Sequence, residues 1–132
     1  ASGDRVIETF SRFIREAKAG HHIAGRIGGE EFAIILPGTH MAAARLFAEG
    51  ARSAFSALPI DGLPLSRRFT ASFGVAELIV GESIDNLMRR ADAALYEAKK
   101  DGRDCVRVAS GSTLDLSFDS NVVQFGSKPP TA

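Results

Sequence analysis

A chain of 132 residues, 45% of them hydrophobic, with a mean hydropathy of +0.02, is large enough for one domain with its own core and too polar overall for a membrane-embedded one. Sixteen Lys and Arg balance sixteen Asp and Glu, so no global field draws nucleic acid or anionic lipid, and any phosphate site has to be local. The lone cysteine, Cys105, excludes an intramolecular disulfide and points to a reducing compartment, no apolar run approaches the roughly 20 residues of a membrane span, and the amino terminus lacks a signal-peptide pattern.

From the amino terminus, Val6, Ile7, Phe10, Phe13, Ile14 and Ala17 recur at spacings of three and four, which predicts an amphipathic helix over Asp4–Lys18 ended by Gly20. His21–Ile27 and Phe32–Leu36 read as strands on either side of Gly28-Gly29, the second continuous enough to be buried on both faces. Pro37-Gly38 stops that strand, and Thr39 is placed to cap an alanine-rich helix reaching about Leu58. After a loop over Pro59–Leu65, the segment Arg68–Val80 alternates Phe69, Ala71, Phe73 and Val75, as a strand covered on one face does. Ser83 opens a helix with Ile84, Leu87, Met88, Ala91, Leu95 and Ala98 on one side, Asp101-Gly102 stops it after Lys100, and Cys105–Val108 forms a short strand. This order predicts an α/β (α+β) two-layer sandwich, a mostly antiparallel sheet with flanking helices, over residues 1–109. From Ser110 the composition turns to serine, glycine, asparagine and aspartate, so 110–132 is expected to be a tail or linker, with an extra strand as the alternative.

The chemistry concentrates in Gly28-Gly29-Glu30-Glu31-Phe32. Two residues without Cβ let a phosphate-bearing ligand approach backbone N–H groups, and adjacent carboxylates can hold the divalent cation such a ligand carries. Alone, the same five residues serve as readily as a tight hairpin turn. His21, His22 and His40 have no metal-ligand spacing and read as surface residues.

Three further stretches stand beside that turn: Gly3-Asp4-Arg5-Val6-Ile7, Thr70-Ala71-Ser72-Phe73-Gly74-Val75-Ala76, and Ala91-Asp92-Ala93-Ala94-Leu95-Tyr96-Glu97-Ala98-Lys99 running on to Gly102-Arg103-Asp104. In that order, with Arg26-Ile27 leading into the glycine pair, residues Gly3 to Val108 resemble the GGDEF family of diguanylate cyclases. The resemblance implies a palm-like nucleotidyl-cyclase fold and the condensation of two GTP molecules into cyclic di-GMP plus pyrophosphate, with Mg2+ or Mn2+, in a homodimer whose subunits each hold one GTP. It also implies a cytoplasmic domain under an upstream sensory domain, with no nucleic-acid or membrane contact by this chain and with membrane anchoring of a parent protein left open. By the same resemblance Glu30 and Glu31 are the catalytic and metal-binding carboxylates, and Gly28 and Gly29 let the nucleotide lie against the backbone. Asp4 accepts hydrogen bonds from guanine N1–H and its exocyclic amine, and Lys99 and Arg103 reach the terminal phosphates. The plainer alternatives are a helix N-terminal acid for Asp4 and a surface ion pair or helix C-cap for Lys99 and Arg103. Asp92, Tyr96 and Ser72 are expected to hold the last helix and strand together.

Two departures from the family pattern matter. The strand and helix that precede the Gly3-Asp4 position in the family, carrying a metal-sharing aspartate and a guanine-reading asparagine, have no counterpart, so an N-terminally truncated domain with little cyclase activity of its own is expected. The sheet gap this leaves should be filled by residues between Thr113 and Phe125 or by a second chain. The window that often reads Arg-x-x-Asp and binds inhibitory product is Ala19-Gly20-His21-His22, which predicts no product inhibition through it. The competing readings are a non-catalytic regulatory module that binds GTP or cyclic di-GMP, and a general α/β interaction domain whose Gly-Gly turn is only a hairpin.

Overall fold

The computed structural model describes residues 2–18, 20–60, 62–64, 69–110 and 120–128. Its elements are α1 (Ser2–Ala17), β1 (Ile23–Arg26), β2 (Glu31–Pro37), α2 (Met41–Ser56), β3 (Thr70–Glu77), α3 (Ile84–Lys100), β4 (Val106–Val108) and β5 (Ser120–Lys128). Up to β4 this is the predicted order. The strands form one sheet in the order β1-β2-β5-β3-β4, antiparallel at every pairing except β3 with β4.

The central place in the sheet belongs to β5. It runs antiparallel to both neighbours, with Phe125 opposite Phe32 of β2 and opposite Phe73 of β3. Both edges that would otherwise expose unpaired backbone groups are thereby satisfied. The expectation of a gap-filling strand fell on Thr113–Phe125; of that stretch, 113–119 lies outside the described residues, and the strand that is described starts at Ser120 and continues past Phe125 to Lys128.

One face of the sheet carries the main core. Phe10 and Ile14 of α1 and Ala44, Ala48 and Phe55 of α2 close on Ile34 and Leu36 of β2 and Phe73 and Val75 of β3, all of them buried. Phe10 anchors the assembly, stacking on Phe55 with centroids 4.4 Å apart and meeting Phe32 at 5.2 Å. The opposite face carries α3, whose Leu87 and Ala91 pack on Ala76.

Strand β3 corrects the sequence reading, because Ala71 through Glu77 are all buried rather than alternately so. Ala71, Phe73 and Val75 face α2, while Gly74 lies so close under α3 that a Cβ there would sit 2.3 Å from the Ala91 carbonyl oxygen and from the Leu95 nitrogen. The small residues Ser72, Gly74 and Ala76 therefore hide a covered face that a hydrophobic alternation cannot reveal.

Helix α2 also starts differently from expectation. Thr39 Oγ1 donates to the Pro37 carbonyl at 3.3 Å, and His40, the N-cap residue, makes no side-chain cap bond. Buried Glu77 on β3 instead accepts the Met41 N–H at 3.2 Å, setting a carboxylate against the positive end of the helix. Ser83 caps α3 as predicted, its Oγ accepting the Asn86 N–H at 3.1 Å.

His22, read as a surface residue, is half-buried edge-on against Phe47 with centroids 5.7 Å apart, and Lys18 Nζ donates to its carbonyl at 3.2 Å. Burial first, then the charges of His21 and Lys18, hold its pKa below the ordinary value. The unfolded chain therefore binds the proton more readily, so this contribution to stability is full above about pH 6.5 and is lost as the pH falls through the lower folded value. Denaturant titrations from pH 7.5 to 5 should show a decline that His22→Gln flattens; an unchanged slope in the variant would refute the assignment.

Candidate active site

The β1–β2 turn is built around Arg26. Its Nε donates to the Gly28 carbonyl at 3.0 Å and its Nη2 to the Gly29 carbonyl, while the N–H groups of Ile27 and Gly28 both point to the Glu31 carbonyl at 2.9 and 3.3 Å. The turn is thus pinned from inside its own hairpin. Neither glycine has a positive φ, although the two-residue turns that demand glycine do so because they require one. An added Cβ would meet nothing within 4 Å at Gly29, and only the Glu31 Cβ, at 3.8 Å, at Gly28. Neither backbone conformation nor packing among the described residues calls for glycine at these positions.

Glu30 is exposed at the tip of the turn, and Glu31, the first residue of β2, is half-buried. Lys99, in the last turn of α3, places Nζ 3.1 Å from Glu31 Oε1, so the acidic turn and the basic end of α3 meet across 68 positions of sequence. Helix α3 lies closest over Gly74 of β3 at Ala91 and Leu95, the latter one turn before Lys99. Arg103 follows four residues later in the loop after α3, exposed, with its N–H bonded to the Ala98 carbonyl at 2.9 Å. Asp4 lies in the first turn of α1, and its side chain falls outside the described residues.

Among the described residues no group of three or more His, Cys, Asp or Glu side chains could hold a metal ion. Glu30 and Glu31 provide two adjacent carboxylates, the donor set suited to a hard cation that takes its remaining ligands from phosphate and water. The clefts of about 600 Å³ between α3 and Val108–Ser110, and of about 680 Å³ between α2 and Val108, are lined by none of Glu30, Glu31, Lys99 or Arg103.

Ser72 does tie β3 to the segment after α3, its Oγ accepting the Asp104 N–H at 3.1 Å. Asp92 and Tyr96 do not serve the packing expected of them: both project into solvent, with Tyr96 66% exposed. Sequence reasoning left out Arg26. Its position two residues before the glycine pair was the available signal, since a guanidinium at that distance can reach back over the carbonyls of a tight turn.

The mixed sheet with an acidic turn facing the basic end of a helix is a palm-like nucleotidyl-cyclase fold. The family model described as "Diguanylate cyclase, GGDEF domain" matches residues 1–105, and the chain belongs to this family. A relative named diguanylate cyclase DgcM, from Escherichia coli K12, is 41% identical over 109 residues, covering 83% of this chain and 26% of the relative. The chain therefore spans about a quarter of that relative's length. The GGDEF domain of DgcB from Caulobacter crescentus, solved in complex with c-di-GMP, superposes with a TM-score of 0.77 at 36% identity, over 83% of this chain and 66% of that one. The active GGEEF domain of a diguanylate cyclase from Vibrio cholerae gives a TM-score of 0.74 at 32% identity, over 83% and 69%. Among the described residues no helix is long and apolar enough to cross a membrane.

Proposed function

We propose that this chain is the GTP-binding portion of a diguanylate cyclase. The observation that carries the reading is the bare glycine pair: Gly28 and Gly29 adopt no conformation that requires glycine and touch nothing that would exclude a side chain. Glycine there leaves room for a ligand against the turn. The names of the relatives support the same activity, as does the Vibrio cholerae domain, which is described as active and carries the same Glu-Glu form of the motif.

In this reading residues 1–109 form the domain together with β5, which supplies its central strand, and the protein works in the cytoplasm under a sensory domain. Asp4 reads guanine, and Lys99 and Arg103 hold the terminal phosphates. Glu30 and Glu31 would hold Mg2+, or Mn2+, which would supply positive charge to offset that on the α-phosphate and on the pyrophosphate leaving group. Glu30, exposed at the turn, would accept the proton of one GTP's 3′-hydroxyl as that oxygen attacks the α-phosphate of a second GTP and pyrophosphate leaves. That second GTP is held by another copy of the domain, as the family resemblance implies.

The test is differential. Adding GTP and Mg2+ at 100 times Kd should stabilise the chain by about 2.7 kcal/mol. Gly29→Ala should leave the unliganded stability within about 0.5 kcal/mol of wild type, since its Cβ meets nothing, while weakening GTP binding about tenfold or more. Chromatography of the same mixtures for cyclic di-GMP separates an enzyme from a module that only binds. Absence of any GTP-dependent stabilisation would overturn the proposal.

A further inference from the structure

The loop between α3 and β4 runs through three successive residues in the left-handed region: Gly102 at φ 110°, Arg103 at 63° and Asp104 at 46°. Glycine enters that region freely and aspartate at a small cost, but Arg103 pays the full one, and such a conformation persists only where the surroundings impose it. Here three elements do. The Asp104 N–H donates to Ser72 Oγ on β3 at 3.1 Å, and Asp104 Oδ1 accepts Arg52 Nη1 from α2 at 2.8 Å. The Arg52 guanidinium is itself held by Glu49 on the same helix, which fixes its direction. On the other side of the loop, the Arg103 N–H is tied to the Ala98 carbonyl at 2.9 Å and Cys105 Sγ donates to the same oxygen at 3.4 Å.

None of these bonds takes the Arg103 side chain. Among the described residues the Arg103 guanidinium makes no hydrogen bond or ion pair and lies in solvent. A strained loop, braced from two directions, ends in a cation free to meet an anion.

We propose that Asp104 is a positioning residue for Arg103: clamped by Arg52 and Ser72, it fixes the left-handed backbone from which Arg103 reaches the terminal phosphates of the nucleotide. This rests on the reading of Arg103 as a phosphate ligand given above. The anchoring ion pair is partly exposed, 22% at Arg52 and 41% at Asp104, so its loss should be felt as a moderate change in affinity rather than as unfolding.

The test measures binding of GTP and of GMP by the full chain in the presence of Mg2+, because only GTP carries the terminal phosphates. Asp104→Ala and Arg52→Ala should each weaken GTP binding about fivefold, the upper end of what such a pair contributes, and leave GMP binding within about twofold. Asp104→Asn should restore most of the GTP affinity, since asparagine tolerates the left-handed region and still offers Arg52 an acceptor. Asp104→Gly separates anchoring from strain: it relieves the backbone, so the melting temperature should hold, yet GTP binding should fall as in Asp104→Ala. Arg103→Ala should weaken GTP binding at least as much, and adding Asp104→Ala to it should change nothing further. An unchanged GTP-to-GMP ratio in both Asp104→Ala and Asp104→Gly would overturn the inference while leaving the phosphate role of Arg103 intact. A wild-type chain that binds GTP no better than GMP, or an Arg103→Ala variant that binds GTP normally, would overturn the phosphate role and the inference with it.

Discussion

Replacing Gly74 with alanine is expected to destabilise the chain by about 3 kcal/mol or more, at or beyond the upper end of ordinary overpacking. The added Cβ would stand 2.3 Å from the Ala91 carbonyl oxygen, 2.3 Å from the Leu95 nitrogen and 2.9 Å from the Leu95 Cα. All three are backbone atoms in the middle of α3, so no side-chain rotation relieves the clash and the helix itself has to lift from the sheet. Lifting it also uncovers Ala76, Leu87 and Ala91, which are almost completely buried between the two. Thermal unfolding should show a fall of roughly 10 °C or more for a domain of this size. Gly29→Ala is the internal control, since the same added methyl group at Gly29 meets nothing within 4 Å. A Gly74→Ala variant melting within about 2 °C of wild type would mean that the close approach of α3 and β3 is not a feature of the folded protein.

The way Gly74 escapes a hydrophobicity count shows where sequence reading stops. Helix α3 was legible because Leu87, Ala91, Leu95 and Ala98 keep helical spacing and Ser83 supplies a cap, and β2 because Ala33 to Leu36 form an unbroken apolar run. The second covered face of β3 was not, because Ser72, Gly74 and Ala76 signal close approach by being small rather than by being apolar. The start of α2 does not rest on Thr39, because the side chain that meets its Met41 N–H is Glu77, 36 positions away, and only the sheet brings it there. In the candidate site the residue types and their order were readable. The pairing of Glu31 with Lys99 was not, since it depends on how far α3 extends over the sheet. Nor was the Arg52–Asp104 pair, whose partners lie 52 positions apart. Chemistry carried by neighbouring residues was visible; chemistry assembled by tertiary packing needed the fold.

That long-range pairing of Glu31 with Lys99 sets the second large effect. Lys99→Ala should weaken GTP binding by about 10- to 100-fold, the range of one charge-assisted hydrogen bond lost from a phosphate. Without nucleotide, Lys99 Nζ rests 3.1 Å from Glu31 Oε1, with the two side chains 27% and 34% exposed. A partly exposed pair of this kind contributes at most about 1 kcal/mol, so a triphosphate, with more charge and more acceptor oxygens, displaces it. Under the proposed roles, Glu31 would compete for Lys99 until a divalent cation occupied the carboxylate. The two variants should accordingly part company when Mg2+ is removed. Lys99→Ala should stay weak with or without the cation, because under the proposed role the phosphate would have lost its donor in both cases. Glu31→Gln should bind GTP up to about fivefold more tightly than wild type when the cation is chelated, because neutralising the carboxylate releases Lys99. With Mg2+ restored the order should reverse, because the cation has lost one of its two adjacent carboxylates. Isothermal titration of both variants with GTP, in Mg2+ and in chelator, reads all four cases. If Glu31→Gln were as weak as Lys99→Ala in chelator, Glu31 would be holding Lys99 in position for the nucleotide rather than competing for it, and the ion pair would be part of the binding site instead of its resting state.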